Sequence, residues 1–366
     1  STFSSINGKI DQNSKSAYLA GPGRRNDPAM LEVGNGEFAT NLIAVRSHFS
    51  MWCIMAAPLI AGNNVTTMSA DSLAILTNTE AIAVDQDPAG EQGIRVGGTP
   101  GFGEVWSKPL GYDFSTRAVA LFNRNTTMAT NITCVWTNLV LQAGPATVRD
   151  LWAHADLGTF TDSYTATVPP EGVVLLKVAG TPLPPPGPGT NYLSDMQPIY
   201  AYTGFGTQTK DKSIGGNPIT LGGVVYSKGT GTHAIGGQEY NLGGVCSRFH
   251  AVVGVDDEVG LGNGSVVFQV IADGRKIYDS GILTNGSVPQ MVNLDMTGVR
   301  RLTLGVTDTG NDATGNRNSY DHSDREDALV VVTNPAPQMP ETTTRLSASP
   351  RDAINLTWDT TLAAIS

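Results

Sequence analysis

Two regions of the chain gather side chains that could do chemistry. The first is "GPGRRNDPAM", residues 21–30, where Asn26, Asp27 and Met30 surround a proline. It has the build of an active-site loop at a strand end, yet Arg24 and Arg25 stand where a sugar pocket would want an aromatic floor. The second region is a pair of acid-rich words, "VGVDDEVG" and "SYDHSDREDA", which supply Asp256, Asp257, Glu258, Asp321, His322 and Asp324. Carboxylate oxygens of this kind suit Ca2+, for which Asp256, Asp257 and Asp324 are the candidate ligands. They equally suit sugar hydroxyls, with Tyr226, His233, Asp256, Asp257, Asp321 and His322 as the candidate contacts. Tyr226 and Tyr320 would stack on a sugar ring or fill the core. Solvated turns, in which Asp caps backbone amides, and a packed His233 are the bland alternatives.

The elements that must position these groups are mostly strands. Only 15% of residues are charged, and 42 Gly and 21 Pro accompany abundant Thr, Val and Asn, a turn-rich β composition. "RSHFSMWCIMAAPLIAGNN" and "SADSLAILTN" read as helix, short apolar strand ending near Gly62, then a helix capped by Ser69 with Asp71 in its first turn. Beyond "AVDQDP" the pattern becomes short alternating strands, "RAVALFNRN", "NITCVWTNL" and "EGVVLLKVAG". A proline-rich spacer follows, and then "RFHAVVGVD", "SVVFQVIADG", "RKIYDSGIL" and "RLTLGVTDTG" predict a second sandwich. The expected fold is mainly β and multidomain: helix–strand–helix punctuation over 1–88, an antiparallel β domain over 89–179, a linker over 180–190, a second β-sandwich over 191–333, and a linker with the start of a further module, or a docking tail, over 334–366.

Composition excludes some partners. A net charge of −10 with no Lys/Arg cluster leaves no surface for phosphate neutralisation, so nucleic acid is not expected. The apolar run Met51–Ala61 is broken by Pro58 and is shorter than the roughly 20 residues a membrane span requires. Sequons at Asn64, Asn125, Asn131, Asn263, Asn285 and Asn355 point to a glycoprotein that is secreted or at the cell surface. Cys53, Cys134 and Cys246 are too few and too scattered for a disulfide framework and read as small buried hydrophobes.

The words "AGPGRRNDPAMLEVGNG", "RSHFSMWCIMAAPLIAGNN" and "LAILTNTEAIAVDQDPAGEQG" resemble the end of the catalytic barrel of the α-galactosidase (melibiase) family, and the strands after "VDQDP" resemble that family's C-terminal β domain. "YSKGTGTHA", "SRFHAVVGVDDEVG", "GSVVFQVIADGRKIYDSG", "VNLDMTGVRRLTLGVTDTG" and "SYDHSDREDA" resemble the NPCBM-type carbohydrate-binding sandwiches that accompany glycosidases. The resemblance implies a partial (β/α) barrel end over 1–88, a galactose-binding-like β-sandwich over 191–333 and a galactose-type glycan as ligand. It also implies a retaining hydrolase chemistry that needs two carboxyl groups roughly 5 Å apart. In that family these come from motifs upstream, a Tyr-x-Asp-Asn-Cys-like nucleophile motif among them, and neither occurs in this sequence. Against the family's Gly-Pro-Gly-Gly-Trp-Asn-Asp-Pro-Asp-Met, Arg25 replaces Trp and Ala29 replaces Asp, so Asn26, Asp27 and Met30 read as a remnant sugar-pocket loop in which Asp27 bonds the backbone. The expected function is a glycan-binding or structural extracellular glycoprotein built from an α-galactosidase and non-catalytic as this chain. The alternatives are the C-terminal portion of an active α-galactosidase whose carboxylates lie elsewhere, and an assembly subunit in which another chain covers the barrel edge.

Overall fold

The computed structural model describes residues 2–309 and 320–333, apart from the Tyr18 side chain; the expected tail over 334–366, and Asn355 with it, lies outside the described residues. Residues Ser1–Pro335 cluster as one compact unit. It begins with four helices, α1 (Phe3–Ser14), α2 (Leu42–Ile54), α3 (Ala70–Leu76) and α4 (Thr79–Asp85). Side-chain caps set their starts: Thr2, Asn41, Ser69 and Asn78 each accept from a first-turn amide. Ser69 and Asp71 sit as expected. The apolar strand does not form, however: Ala57–Ala61 is irregular, and only one parallel bridge, Leu31 to Ala61, marks barrel register. Pro58 has no N–H to give a ladder, and a parallel strand paired on one side alone is weak.

Helix α2 is buried on nearly every side, from Ala44 to Ile54, and packs on the strands that follow. Those strands make a six-stranded antiparallel sheet in the order Ile94–Gly98, Gly103–Leu110, Thr116–Asn123, Val173–Ala179, Pro145–Asp150, Ala155–Thr161. Alternation splits its faces. Trp106, Ala118, Ala120 and Leu175 meet the helices, while Val105, Val119, Leu121 and Val178 meet the hairpin of Thr130–Val135 with Ser163–Val168. The expected strand "NITCVWTNL" is cut short, because Trp136–Leu139 turns into a 3-10 helix with Trp136 fully buried.

The second sandwich pairs a five-stranded sheet (Tyr200–Tyr202, Gly236–Asn241, Arg301–Asp308, Val266–Ala272, Arg275–Asp279) with a sheet centred on His322–Val332, which pairs Gly229–His233, Arg248–Val255 and Gly189–Tyr192. A short hairpin, Ile219–Leu221 with Val224–Tyr226, lies over one end. The proline-rich segment is docked along its length. Gln142 N donates to Thr181 O (2.7 Å), Leu183 packs with Phe114, Val140 and Ile199, and Asn241 Nδ2 donates to Leu183 O (3.4 Å). Across the same junction Arg301 pairs with Glu91 and with Glu239 (3.2 Å), and its guanidinium lies 4.9 Å from the Phe114 ring centre. Cys53, Cys134 and Cys246 are buried free thiols.

Candidate glycan-binding site

The remnant loop is held by other groups than the sequence suggests. Asp27 is exposed, and no described residue hydrogen-bonds its side chain. Asn26 does the holding, its Nδ2 donating to Ser16 O and to Gln92 Oε1, both at 2.7 Å. Ala29 adopts a φ of 151°, a costly region for a residue with a Cβ, and Trp52 Nε1 pins its carbonyl at 2.7 Å. Met30 is 48% exposed and rests on Gly62. Neither arginine is idle. Arg24 donates to Gly274 O on the second sandwich, and Arg25 Nη1 donates to Ala56 O and Asp85 O at 3.0 Å while facing the Asp85 carboxylate at 3.4 Å. Burial pushes that carboxyl up to about 6, against the pull of Lys108 and Arg25, and burial brings Lys108 down to about 8.

The acid-rich words behave differently from one another. Asp256 accepts from Thr220 N (2.9 Å) and Glu258 N (2.8 Å), and Asp257 from Gly222 N (3.2 Å) and Gly223 N (2.7 Å), which ties down the overlying hairpin. Asp324 is fully buried beside Glu326, on the face of its strand that opposes Gly231 and Gly229. Of the expected Ca2+ trio of Asp256, Asp257 and Asp324, Asp324 meets the Asp256 side chain in the interior, while Asp257 turns to the overlying hairpin. Two of the three spend their oxygens on backbone amides, and among the described residues no group of three or more His, Cys, Asp or Glu is set to hold a metal ion. Asp321 is likewise buried, accepting from Ser265 N at 2.7 Å. Tyr226 sits on the overlying hairpin, where burial raises its hydroxyl and the charges of Glu326 and Asp327 add to the rise.

The residues that do meet are His233, His322 and Glu258, with Phe205. His322 Nδ1 lies 2.6 Å from Glu258 Oε1, so it donates there and leaves Nε2 as an acceptor. Its ring centre is 5.5 Å from that of His233, which lies 5.8 Å from Phe205. His233 Nδ1 donates to Ala234 O (2.7 Å), and burial holds the imidazole below its ordinary range. Glu258 is the hub. It also accepts from Ser213 Oγ and Asn217 Nδ2, each at 2.8 Å, and from Gly215 N at 3.2 Å. Burial alone would raise its carboxyl, but the bonds from Asn217, Ser213 and His322 take it below the ordinary carboxylate range. Phe205 presents a ring 64% exposed on the turn Gly204–Phe205–Gly206, and any Cβ on Gly204 would strike Ala234 O. Sequence reasoning passed over Glu258 as a contact, though it lies inside an acid-rich word, and it passed over Phe205. An aromatic between two glycines was the available signal.

Comparison with known proteins assigns the parts in order. Profiles described as "Alpha galactosidase A", "Alpha galactosidase C-terminal beta sandwich domain" and "NPCBM/NEW2 domain" match residues 2–87, 101–178 and 189–328. The chain is α-galactosidase family in its first half and an NPCBM module in its second. An α-galactosidase of Oryza sativa subsp. japonica is 46% identical over 154 residues, 42% of this chain and 36% of that protein, and a probable α-galactosidase of Dictyostelium discoideum is 40% identical over 167 residues, 44% and 42% respectively. The chain thus spans about two-fifths of these relatives. A solved CBM51 from Clostridium perfringens, in complex with methyl-galactose, is 36% identical and covers 39% of this chain and 99% of its own, with a TM-score of 0.36. In the α-galactosidase part, Arg25 holds the carbonyls of Ala56 and Asp85; in the NPCBM module, the polar cluster lies around Glu258. No helix among the described residues is long and apolar enough to cross a membrane.

Proposed function

We propose that this chain binds a galactose-type glycan through its NPCBM module, and that by itself it does not hydrolyse α-galactosides. The observation that carries the reading is the Glu258–His322 pair, with His233 standing between it and the exposed Phe205 ring. The imidazole Nε2 of His322 accepts a sugar hydroxyl, Glu258 fixes the ring that offers it, and the Asn217 amide and an aromatic face complete a shallow polar site. Such a site gives micromolar to millimolar affinity, about −8 to −4 kcal/mol, because each hydroxyl exchanges water for a protein partner. Calorimetric titration of methyl galactoside into the full chain tests it: Glu258→Gln and His322→Ala should each weaken binding about tenfold or more. Unchanged affinity in both variants would place the ligand elsewhere or nowhere.

The proposal of no hydrolysis rests on Arg25, which occupies the family's Trp position and engages Ala56 and Asp85, and on the Asp27 side chain, which no described group positions. A second reading, that these residues complete an active α-galactosidase barrel, draws on the parallel bridge Leu31–Ala61 and on the exposed Met30 and Ile60 beside it, an apolar edge that further barrel units or another chain would cover. Turnover of a chromogenic α-galactoside by the purified chain would overturn the first reading, and turnover that appears only when the other barrel half is supplied, and is abolished by a substitution within residues 2–87, would select the second. An extracellular setting is proposed from the sequons, of which Asn64 and Asn131 are exposed.

A further inference from the structure

The NPCBM module closes one end of the first sandwich. There Ser107 and Arg117 share a face of neighbouring strands, since Ser107 pairs with Val119 and Pro109 with Arg117. Both line a small cavity whose other walls include Gln92, Asn138, Tyr200 and Glu239. Arg117 is 2% exposed, and its Nε and Nη2 have no acceptor; Ser107 Oγ, equally buried, has no partner either. Buried N–H groups left this way are costly, so the site calls for something that accepts. Glu239 is already engaged, Oε1 with Arg301 Nε and Oε2 with Thr303 Oγ1, both at 3.2 Å. Arg117 and Ser107 both have hydrogens to give, and a single acceptor seated between them satisfies both.

We infer that this cavity binds a small monovalent anion of the chloride type, held by Arg117 and Ser107 at the seam between sandwich and module. Around it Arg117 and Arg301 face Glu91 and Glu239, with Asp87 acting on Arg301 from further off, so a bound anion adds one negative charge to a set that already holds three carboxylates against two guanidinium groups. Glu239 absorbs that charge by taking a proton, for which burial has already readied it by pushing its carboxyl up to about 7. The inference does not depend on the glycan reading. It is tested on the full chain with bromide as the probe. Crystals grown with bromide should show an anomalous peak between Arg117 and Ser107, and Tm should rise about 2 °C for each tenfold increase in chloride above half-saturation at constant ionic strength. Ser107→Ala, which removes one donor and little volume, should shift that chloride midpoint upward even if Arg117→Gln fails to fold. An anomalous map without a peak, or a Tm that ignores chloride when gluconate balances the salt, would overturn the inference and leave water as the occupant.

Discussion

Glu326 is a carboxyl in the wrong place for an ionised group. Burial pushes it up to about 9, and the neighbouring charges of Asp256 and Asp327 add to the rise. The folded chain therefore keeps a proton on Glu326 that the unfolded chain gives up near the ordinary value of 4.5. Stability from this residue is undiminished below that value and falls as pH climbs toward 9. Glu326→Gln should flatten this part of the pH dependence and gain about 1–3 kcal/mol at pH 8, read from urea unfolding across a pH series. Asn285 illustrates the reverse error of sequence reading. It lies in a sequon but is 6% exposed, with Nδ2 donating to Asp256 O at 3.0 Å, so the folded protein cannot present it as an acceptor site. Glycopeptide mapping should find Asn285 bare, and Asn285→Ala should cost about 1–3 kcal/mol through the buried carbonyl it abandons.

At the scale of elements, a single cap joins two layers. Asn78 Oδ1 accepts from Glu80 N and Ala81 N at 3.0 Å and starts α4, while its Nδ2 reaches Leu151 O in the sheet domain at 3.1 Å. Asn78→Ala should lose about 2 kcal/mol, more than an exposed cap, whereas Ser69→Ala at α3 should lose about 1, both measured by denaturant midpoints. The helix caps at Ser69 and the alternating strands were legible because local chemistry decides them. What escaped the sequence depends on contacts far along the chain. Nothing near Pro58 announces that Ala57–Ala61 would bridge only Leu31, and nothing near Asp257 tells that its oxygens are claimed by Gly222 and Gly223. His233 and His322 were singled out from their own words, yet their meeting with Phe205 and Glu258 follows from Gly229–His233 pairing with His322–Val332, a register no local pattern states.

For the molecule as a whole, the seam between sandwich and module decides how it unfolds. Arg301, 6% exposed, contacts Glu91 on one side and Glu239 on the other, so Arg301→Gln leaves buried carboxylates without their cation and should cost about 3–5 kcal/mol. Scanning calorimetry should show one transition over residues 2–333 in the parent chain and two in the variant; a single transition in both would mean the apolar contacts of Phe114, Val140, Leu183 and Ile199 suffice. The docked proline-rich segment also bears on recognition. A flexible tether would let the module search a volume around the α-galactosidase part and present a bound glycan at many distances from it. With Thr181, Leu183 and Asn241 fastened, the module has no such volume to explore. A glycan held at Glu258 and His322 then meets the α-galactosidase part at one distance and one angle, whatever its branching.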